Sequence, residues 1–253
     1  MTLEYPLYTT HAHLWRLLSP LESYESEMVE WCELVESTLT RPVTELLDLG
    51  SGGGHHLYHL AQGLEGLEGG LAVDLSGPML AELRNLLPQF ETEQGDMTSL
   101  RLERQFDLVT VHDSFCYLHT IEQVGALFET VRIHLKPGGL SLVKLDAIAD
   151  DFEGPYRYLT TFEEDDVEVT LTHYEWDPKP GDGWLEVVYL FLHREGAEVE
   201  TREERHRLGL FSKQQLLDCA GERGLKGSFH PVERWDEERE NLLLVLRPAE
   251  KGE

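Results

Sequence analysis

The sequence predicts an α/β fold with a mostly parallel sheet, and three observations support this prediction. Short apolar runs that end in an acid or a glycine recur in the first half of the chain, at residues 46–54 and 70–75 among others. Amphipathic stretches suited to helices separate these runs, a pattern typical of a parallel sheet with helices on both faces. Residues 151–208 instead alternate apolar and polar side chains around dense turn signals, which indicates an inserted antiparallel β-meander.

Composition excludes several classes of partner. The 253 residues carry a net charge of −27, and 41% of them are hydrophobic, which suffices for a sizeable core. A field of this sign repels phosphate backbones and anionic membrane surfaces, so we expect neither nucleic acid nor membrane as a partner. No apolar run approaches the roughly 18–20 residues that a membrane helix needs. A neutral or cationic small molecule is the expected partner.

The cysteines and histidines indicate neither disulfides nor a metal. Cys32, Cys116 and Cys219 lie far apart, without the spacing of a zinc site or a disulfide framework. The first residues show no signal-peptide pattern, so we expect a cytoplasmic protein. His55 and His59 are four residues apart on a predicted helix, but the sequence supplies no obvious third ligand, and we expect no bound metal.

Two helices are predicted before the first strand. Residues 11–18 and 24–39 have helical apolar spacing, and Pro20 separates them. Residues 1–40 are therefore predicted to form an N-terminal helical cap.

The glycine-rich turn that follows the first apolar strand is the most informative motif. Asp48 ends the strand, and Gly50, Gly52 and Gly54 follow at alternate positions. Glycines allow a sharp turn and a close approach of the backbone to a ligand, and the next helix aims its N–H groups at that ligand. The dinucleotide fingerprint needs a glycine where His55 stands, and no Walker lysine follows.

Three later segments extend this pattern in order. Asp74 ends the second strand, and Ser76 is positioned to cap a helix that carries Met79 on its apolar face. Gly95, Asp96 and Met97 follow the third strand. The fourth strand, within residues 106–116, then opens into polar residues at His112.

Together these segments resemble the class I S-adenosylmethionine-dependent methyltransferases over residues 43–145. The acid-x-Gly-x-Gly-x-Gly run resembles motif I of the family, and residues 106–116 resemble motif IV. The stretch from Tyr8 to Trp15 resembles the Tyr-x-x-x-Ala-x-x-Tyr opening of small-molecule N-methyltransferases, including those that act on amino sugars, although Trp15 replaces the second tyrosine. The resemblance implies a Rossmann-like, seven-stranded, mostly parallel sheet and S-adenosylmethionine as cofactor.

The resemblance also implies the site residues. We expect Asp74 to accept the ribose hydroxyls, Asp96 to bind the adenine amino group with Met97 against the ring, and Asp48 to face the cofactor's ammonium group. The expected cofactor-binding residues are Asp48, Gly50, Ser51, Gly52, Gly54, Asp74, Leu75, Met79, Asp96, Met97 and His112.

The expected catalytic residues are Tyr8, His112 and Asp113. Tyr8 would cover the methyl group, and packing of the N-terminal helix is its other interpretation. His112 would either accept a proton from the acceptor or offer only its backbone carbonyl to the cofactor. Tyr117 and His119 follow the fourth strand and could line the acceptor pocket.

The remaining chain divides into core and insertion. Residues 41–150 and 209–253 are predicted as the cofactor-binding core, with a capped helix after Ser212 and two final strands. Within residues 151–208 we expect strands at 167–172, 185–193 and 199–208, which form a substrate cover or a dimer interface. Tyr174 and Trp176 are the aromatic residues expected to face the substrate.

The predicted function is methyl transfer from S-adenosylmethionine to a small-molecule acceptor, at nitrogen or oxygen. The alternative is a regulatory protein that binds the cofactor without turnover. A nicotinamide-dependent oxidoreductase is disfavoured because His55 replaces the third glycine of its fingerprint. A monomer and a homodimer are both compatible with the sequence.

Overall fold

A computed structural model describes residues 5–232 and 241–249. Its strands are β1 Glu45–Leu49, β2 Gly69–Asp74, β3 Phe90–Gln94, β4 Phe106–Val111, β5 Leu135–Leu145, β6 Tyr156–Glu164, β7 Val167–Trp176, β8 Trp184–Glu195, β9 Glu198–Gly209, β10 Leu225–Val232 and β11 Asn241–Pro248. Seven of them form one sheet in the order β10-β11-β5-β4-β1-β2-β3. Strand β11 runs antiparallel to both of its neighbours. The five strands on one side of it in the sheet, β5, β4, β1, β2 and β3, are mutually parallel.

The helices are α1 Trp15–Leu18, α2 Glu25–Thr38, α3 His55–Gly63, α4 Gly77–Leu86, α5 Ile121–His134 and α6 Lys213–Gly221. Side-chain oxygens of Ser76, Thr120 and Ser212 accept hydrogen bonds from the first turns of α4, α5 and α6. The first predicted helix is shorter than expected, because only α1 is α-helical and a 3₁₀ turn at Ala12–Leu14 precedes it.

Alternation along the strands divides the core into two layers. Leu46 of β1 packs with α2, α3 and α4 on one face of the sheet, whereas Leu47 and Leu49 pack with α5 and α6 on the other. All three leucines are fully buried. The predicted α/β fold with a seven-stranded, mostly parallel sheet and an antiparallel insertion is confirmed.

The insertion is a four-stranded antiparallel sheet in the order β6-β7-β8-β9. The prediction of three strands was incomplete, because β6 had not been recognised. Most residues of β6 are exposed or only partly buried, and only Tyr156 is fully buried. The strand therefore lacks the clear alternation that identified its neighbours.

The two faces of this sheet differ, and the difference corrects one prediction. Leu7 of the N-terminal segment packs against Val169 and Phe191, which marks the inner face. Paired residues share a face, and Tyr174 pairs with Val188 of β8. Because faces alternate along a strand, Tyr174 and Trp176 lie on the outer face with Val188, away from the N-terminal segment.

The inner face instead carries a polar group of side chains over the carboxyl ends of the core strands. The register between strands β6, β7, β8 and β9 places these side chains next to one another. They are Tyr158, His173, Glu175, Tyr189, Glu204 and His206.

Gly209 holds the end of this sheet close to the core, which gives a testable prediction. A Cβ at Gly209 would lie 1.9 Å from the carbonyl oxygen of Leu118, which is backbone that cannot move aside. We expect Gly209→Ala to lower the free energy of unfolding by roughly 1–3 kcal/mol in urea titrations. Gly221→Ala is the matched control, since nothing lies within 4 Å of its added Cβ. Equal stability of the two variants would contradict this role for Gly209.

Candidate active site

The carboxyl ends of β1, β2 and β4 meet at one edge of the sheet, and a cavity opens there, as expected for an open parallel sheet. The N-terminal segment covers it from one side. Its walls are formed by Tyr5, Tyr8, Trp15, Tyr24, Gly50, Ser51, Gly52, Gly53, Gly54, His55, His56, Asp74, Leu75, Met79, Gly95, Asp96, Met97, His112, Asp113, Ser114 and Tyr117. The structure thus brings together every residue predicted to bind the cofactor or to act in catalysis, except Asp48.

The turn after β1 requires glycine on two grounds. Gly50 has a φ of +73° and Gly54 a φ of +82°, in the left-handed region. A Cβ at Gly50 would also lie 2.1 Å from Oγ of Ser114. The exposed backbone of this turn is a cradle that a ligand can approach closely.

Asp74 is anchored at the tip of β2. One carboxylate oxygen accepts a hydrogen bond from the Gly52 amide at 2.8 Å, and the other accepts one from the Ser76 amide at 2.7 Å. Burial raises the pKa of Asp74, and these amide donors oppose that rise. Each oxygen has a second lone pair, so the carboxylate can also accept hydroxyl groups of a ligand.

Asp48 does not occupy the predicted position. Its carboxylate is fully buried, accepts a hydrogen bond from Oγ1 of Thr110 at 2.6 Å and lies 3.0 Å from Nε2 of His56. His56 stands between it and the cavity. The prediction that Asp48 contacts the cofactor's ammonium group directly is therefore wrong. Asp48 instead orients His56, a residue of the cavity wall.

The far end of the cavity carries Asp96 and Met97. Asp96 is oriented by Thr98, whose amide and hydroxyl donate to Oδ1 at 2.8 and 2.6 Å. Met97 is 8% exposed and presents an apolar wall, as Leu75 and Met79 do on the side of α4. This combination of one carboxylate and apolar side chains suits a flat heterocycle with an amino group.

Four charged side chains form a closed network at the opposite end. Nδ1 of His112 lies 3.1 Å from Asp113, and its Nε2 lies 3.3 Å from Glu27. The ammonium group of Lys144 bridges the same two carboxylates, at 2.9 Å from Asp113 and 3.1 Å from Glu27. We call these four residues the charge network. It joins α2, the end of β4 and β5.

The charge network fixes the protonation of its members. Burial alone would lower the pKa of His112, but Asp113 and Glu27 outweigh burial and the Lys144 ammonium, and they raise that pKa to about 9. Burial would raise the pKa of Glu27, but His112 and Lys144 lower it to about 2. They also hold the pKa of Asp113 well below its usual range. The Asp113 side chain is still 44% exposed, because it borders the cavity.

This protonation state corrects the prediction for His112 as a proton acceptor. Both ring nitrogens face carboxylates, so both act as donors and no lone pair remains to take a proton. The ring also stacks on His56 with centroids 4.6 Å apart. His112 is therefore a charged wall residue, whereas Asp113 presents a carboxylate to the cavity.

Tyr8 lies at the cavity roof, as expected, and further residues of the N-terminal segment join it. Oγ of Ser76 donates to the Tyr8 carbonyl oxygen, and the Tyr8 hydroxyl lies 2.9 Å from that of Tyr117. Trp15 lies against Gly53, where an added Cβ would be 2.9 Å from the indole ring.

Several wall residues were not predicted, and two had a signal in the sequence. Trp15 stands at the second aromatic position of the N-terminal opening, and His56 directly follows the glycine turn. Lys144 belongs to the charge network rather than to the wall, and its signal was weaker: it is the one charged residue in the run Leu-Ser-Leu-Val-Lys-Leu at residues 140–145. His119 is not a wall residue, because its Nε2 bonds the carbonyl oxygen of Arg207 at 2.8 Å.

Comparison with known proteins agrees with this geometry. Residues 46–139 match the model of a methyltransferase domain. Residues 46–139 are thus similar to a methyltransferase domain. This similarity agrees with the predicted enzyme class, and the glycine cradle together with Asp74 fits the predicted cofactor.

Two curated relatives come from Streptomyces. The dTDP-3-amino-3,4,6-trideoxy-alpha-D-glucopyranose N,N-dimethyltransferase of Streptomyces venezuelae is 36% identical over 124 residues, 49% of this chain and 51% of that protein. The match thus spans about half the length of that relative. The dTDP-3-amino-3,6-dideoxy-alpha-D-glucopyranose N,N-dimethyltransferase of Streptomyces fradiae is 28% identical over 211 residues, which cover 83% of this chain and 80% of that protein.

Solved structures resemble nearly the whole chain. Streptomyces venezuelae DesVI superposes with a TM-score of 0.81 at 26% identity, covering 94% of this chain and 98% of DesVI. CalS10, an amino pentose methyltransferase from Micromonospora echinaspora, superposes with a TM-score of 0.77 at 20% identity, covering 97% and 98% of the two chains. The likeness to CalS10 shows a similar fold and nothing further.

Two features are absent from the described residues. No helix within residues 5–232 and 241–249 is long and apolar enough to cross a membrane. In the same part of the chain, no group of three or more His, Cys, Asp or Glu side chains is arranged to hold a metal ion.

Asp74 gives a prediction for cofactor affinity. Loss of a charge-assisted hydrogen bond costs roughly 1.5–3 kcal/mol, so we expect Asp74→Ala to weaken S-adenosylmethionine binding about tenfold to a hundredfold in calorimetric titrations. Glu93→Ala on the adjacent strand β3 removes the same charge at an exposed position and should leave the affinity unchanged. An unchanged dissociation constant for Asp74→Ala would show that this carboxylate does not hold the ribose.

His112 gives a prediction for pH dependence. Its folded pKa of about 9 exceeds the unfolded value of about 6.5, so its contribution to stability is complete below about pH 6.5 and is lost as pH rises through 9. The stability difference between the wild type and His112→Gln, measured in urea at each pH, should therefore shrink across this range. His230→Gln, at an exposed position of β10, is the control. A difference that does not vary with pH would contradict the charged state of His112.

Proposed function

We propose that this chain transfers a methyl group from S-adenosylmethionine to the amino group of a nucleotide-linked amino sugar. The diphosphate of such an acceptor is anionic, so this proposal departs from the neutral or cationic partner that the net charge of −27 led us to expect. The carrying observation is the end of the cavity beside His112, where the Asp113 carboxylate and the hydroxyls of Tyr8 and Tyr117 meet. A carboxylate attracts an ammonium group, and a phenol oxygen can accept its N–H. The likeness to two dTDP-amino-sugar N,N-dimethyltransferases supports the same acceptor class.

In this proposal the two ends of the cavity have separate tasks. Asp74 and the glycine turn hold the ribose and the amino-acid part of the cofactor, and Asp96 with Met97 holds the adenine. When bound, the cofactor would supply an electrophilic methyl group to the acceptor nitrogen, with S-adenosylhomocysteine as the leaving group. The chain's own contribution is orientation and exclusion of water.

The insertion and the N-terminal segment would together cover the acceptor. The amide of Leu7 donates to the Glu204 carboxylate at 3.2 Å, and the inner-face side chains of the insertion lie above the cavity end. The sheet would thus select the acceptor through residues such as Glu175, whose side chain is 3% exposed, rather than through the outer Tyr174.

The homodimer stays an alternative for the outer face of the same sheet. Leu190 and Leu192 are 46% and 43% exposed there. A dimer through this face and a cover over the acceptor are compatible, because they use opposite faces. A cytoplasmic location also stays a prediction.

The proposal is tested with isotopically labelled S-adenosylmethionine and paired acceptors. We expect mass spectrometry to detect methylated product from dTDP-3-amino sugars and none from the 3-hydroxyl counterparts. Asp74→Ala should lower turnover at subsaturating cofactor. Cofactor-induced thermal stabilisation without transfer to any amine would instead favour a regulatory binding protein.

A further inference from the structure

A continuous chain of hydrogen bonds leads from the cavity into the insertion. The hydroxyl oxygens of Tyr8 and Tyr117 are 2.9 Å apart, and the Tyr117 hydroxyl lies 2.9 Å from Nδ1 of His206. Nε2 of His206 then lies 3.3 Å from Oε2 of Glu204. We call these four residues the relay. It connects the N-terminal segment, the turn after β4 and strand β9.

The partners determine the direction of every bond in the relay. A carboxylate only accepts, so in the neutral ring Nε2 of His206 carries the hydrogen and Nδ1 keeps its lone pair. Tyr117 therefore donates to Nδ1, and its oxygen accepts from the hydroxyl of Tyr8. The Leu7 amide donates to the same oxygen of Glu204 at 3.2 Å, which fixes the carboxylate. The hydroxyl oxygen of Tyr8 is then the atom of the relay that can accept a hydrogen bond from a group in the cavity.

The surroundings of His206 leave one ionic partner among the described groups that face it. His206 is 1% exposed, its ring stacks on Tyr5 with centroids 3.9 Å apart, and the ring of Tyr189 lies at 4.9 Å. Burial raises the pKa values of Tyr8, Tyr117 and Tyr189, so these phenols keep their protons near neutral pH. The facing titratable groups are Tyr5, Tyr8, Tyr117, Tyr189 and Glu204. An imidazolium at His206 would therefore be compensated by Glu204.

We propose that the relay takes up the proton that the acceptor's ammonium group must lose, with His206 as its terminal acceptor. This inference rests on the proposed function. The acceptor N–H proton moves to the Tyr8 oxygen, the Tyr8 proton moves to Tyr117, and the Tyr117 proton moves to Nδ1 of His206. The nitrogen lone pair is released for attack, and both phenols end neutral.

The acceptor must lose a proton because of the chemistry of amines. Alkyl amino groups titrate above neutral pH, so the acceptor arrives mainly as an ammonium ion without a free lone pair. Each methyl transfer regenerates a charged nitrogen, so a second transfer needs a second deprotonation. After product leaves, the reverse transfer returns the proton from His206 to water in the cavity.

His206 acts through Tyr117 and is a positioning residue in this scheme, and replacement by asparagine separates its two contributions. Asparagine can still accept from one neighbour and donate to another, but it does not take up a proton. We expect His206→Asn to lower kcat at pH 7 by about 10²-fold, with the cofactor dissociation constant unchanged. Raising the pH above the acceptor's own pKa should close the gap to the wild type, because the amine is then already neutral.

Controls distinguish the relay from a loss of structure. His193→Asn alters a histidine on β8 of the same sheet, outside the relay, and should retain wild-type kcat at every pH. Tyr117→Phe breaks the relay at its centre and should show the same rescue at high pH as His206→Asn. Nitrogen-15 NMR of labelled histidine should show His206 as the Nε2-protonated tautomer, independently of turnover.

Three outcomes would overturn the inference. The first is a wild-type kcat for His206→Asn at pH 7, and the second is a loss that is equal at all pH values, which indicates packing alone. The third is an Nδ1-protonated tautomer in the NMR spectrum. Failure of the wild type itself to methylate any amine would instead contradict the proposed function, and so the two failures are distinguishable.

Discussion

The site depends on the charge network, because it joins three distant parts of the chain at the carboxyl edge of the sheet. Glu27 comes from α2, His112 and Asp113 from the end of β4, and Lys144 from β5. Each carboxylate contacts both cations, so removal of any one member would leave the other three with one unbalanced charge in a largely buried site. The network thereby holds α2 over the sheet and keeps Asp113 at the cavity.

The two halves of the cavity are built on different principles. The cofactor end is made by consecutive strand ends of one contiguous core, where a turn and an acid suffice. The acceptor end is assembled from the N-terminal segment, the turn after β4 and the inserted sheet, none of which covers the cavity alone. Packing of Leu7 against Val169 and Phe191 makes the first and third of these interdependent. Changes in the insertion can therefore alter the acceptor without disturbing the cradle.

One end of the cavity is formed by a contiguous part of the chain and the other by distant segments, and this difference explains how much of the site the sequence could predict. Gly50 and Asp74 were recognisable because their tasks depend on local backbone geometry and on the end of a strand. Glu27 and Lys144 were not, since 117 positions separate them and only the fold brings them together. Strand β6 was missed because its weak alternation reflects an edge strand with two exposed faces. The inner face of β7 was assigned to the wrong residues, since alternation alone does not tell which face is covered.

His112, in the cavity wall, and His206, behind Tyr117, show why residue type and position did not determine the chemistry of the histidines. His112 lies in the strand-end position that first suggested a proton acceptor, but two carboxylates occupy its nitrogens and it is already charged. His206 lies far away in the sequence, yet a single carboxylate and a phenol leave Nδ1 as an acceptor. The difference comes from the number of carboxylates that each ring contacts. At His112 the second carboxylate leaves neither nitrogen with a free lone pair, whereas at neutral His206 one carboxylate fixes the tautomer and leaves Nδ1 as an acceptor.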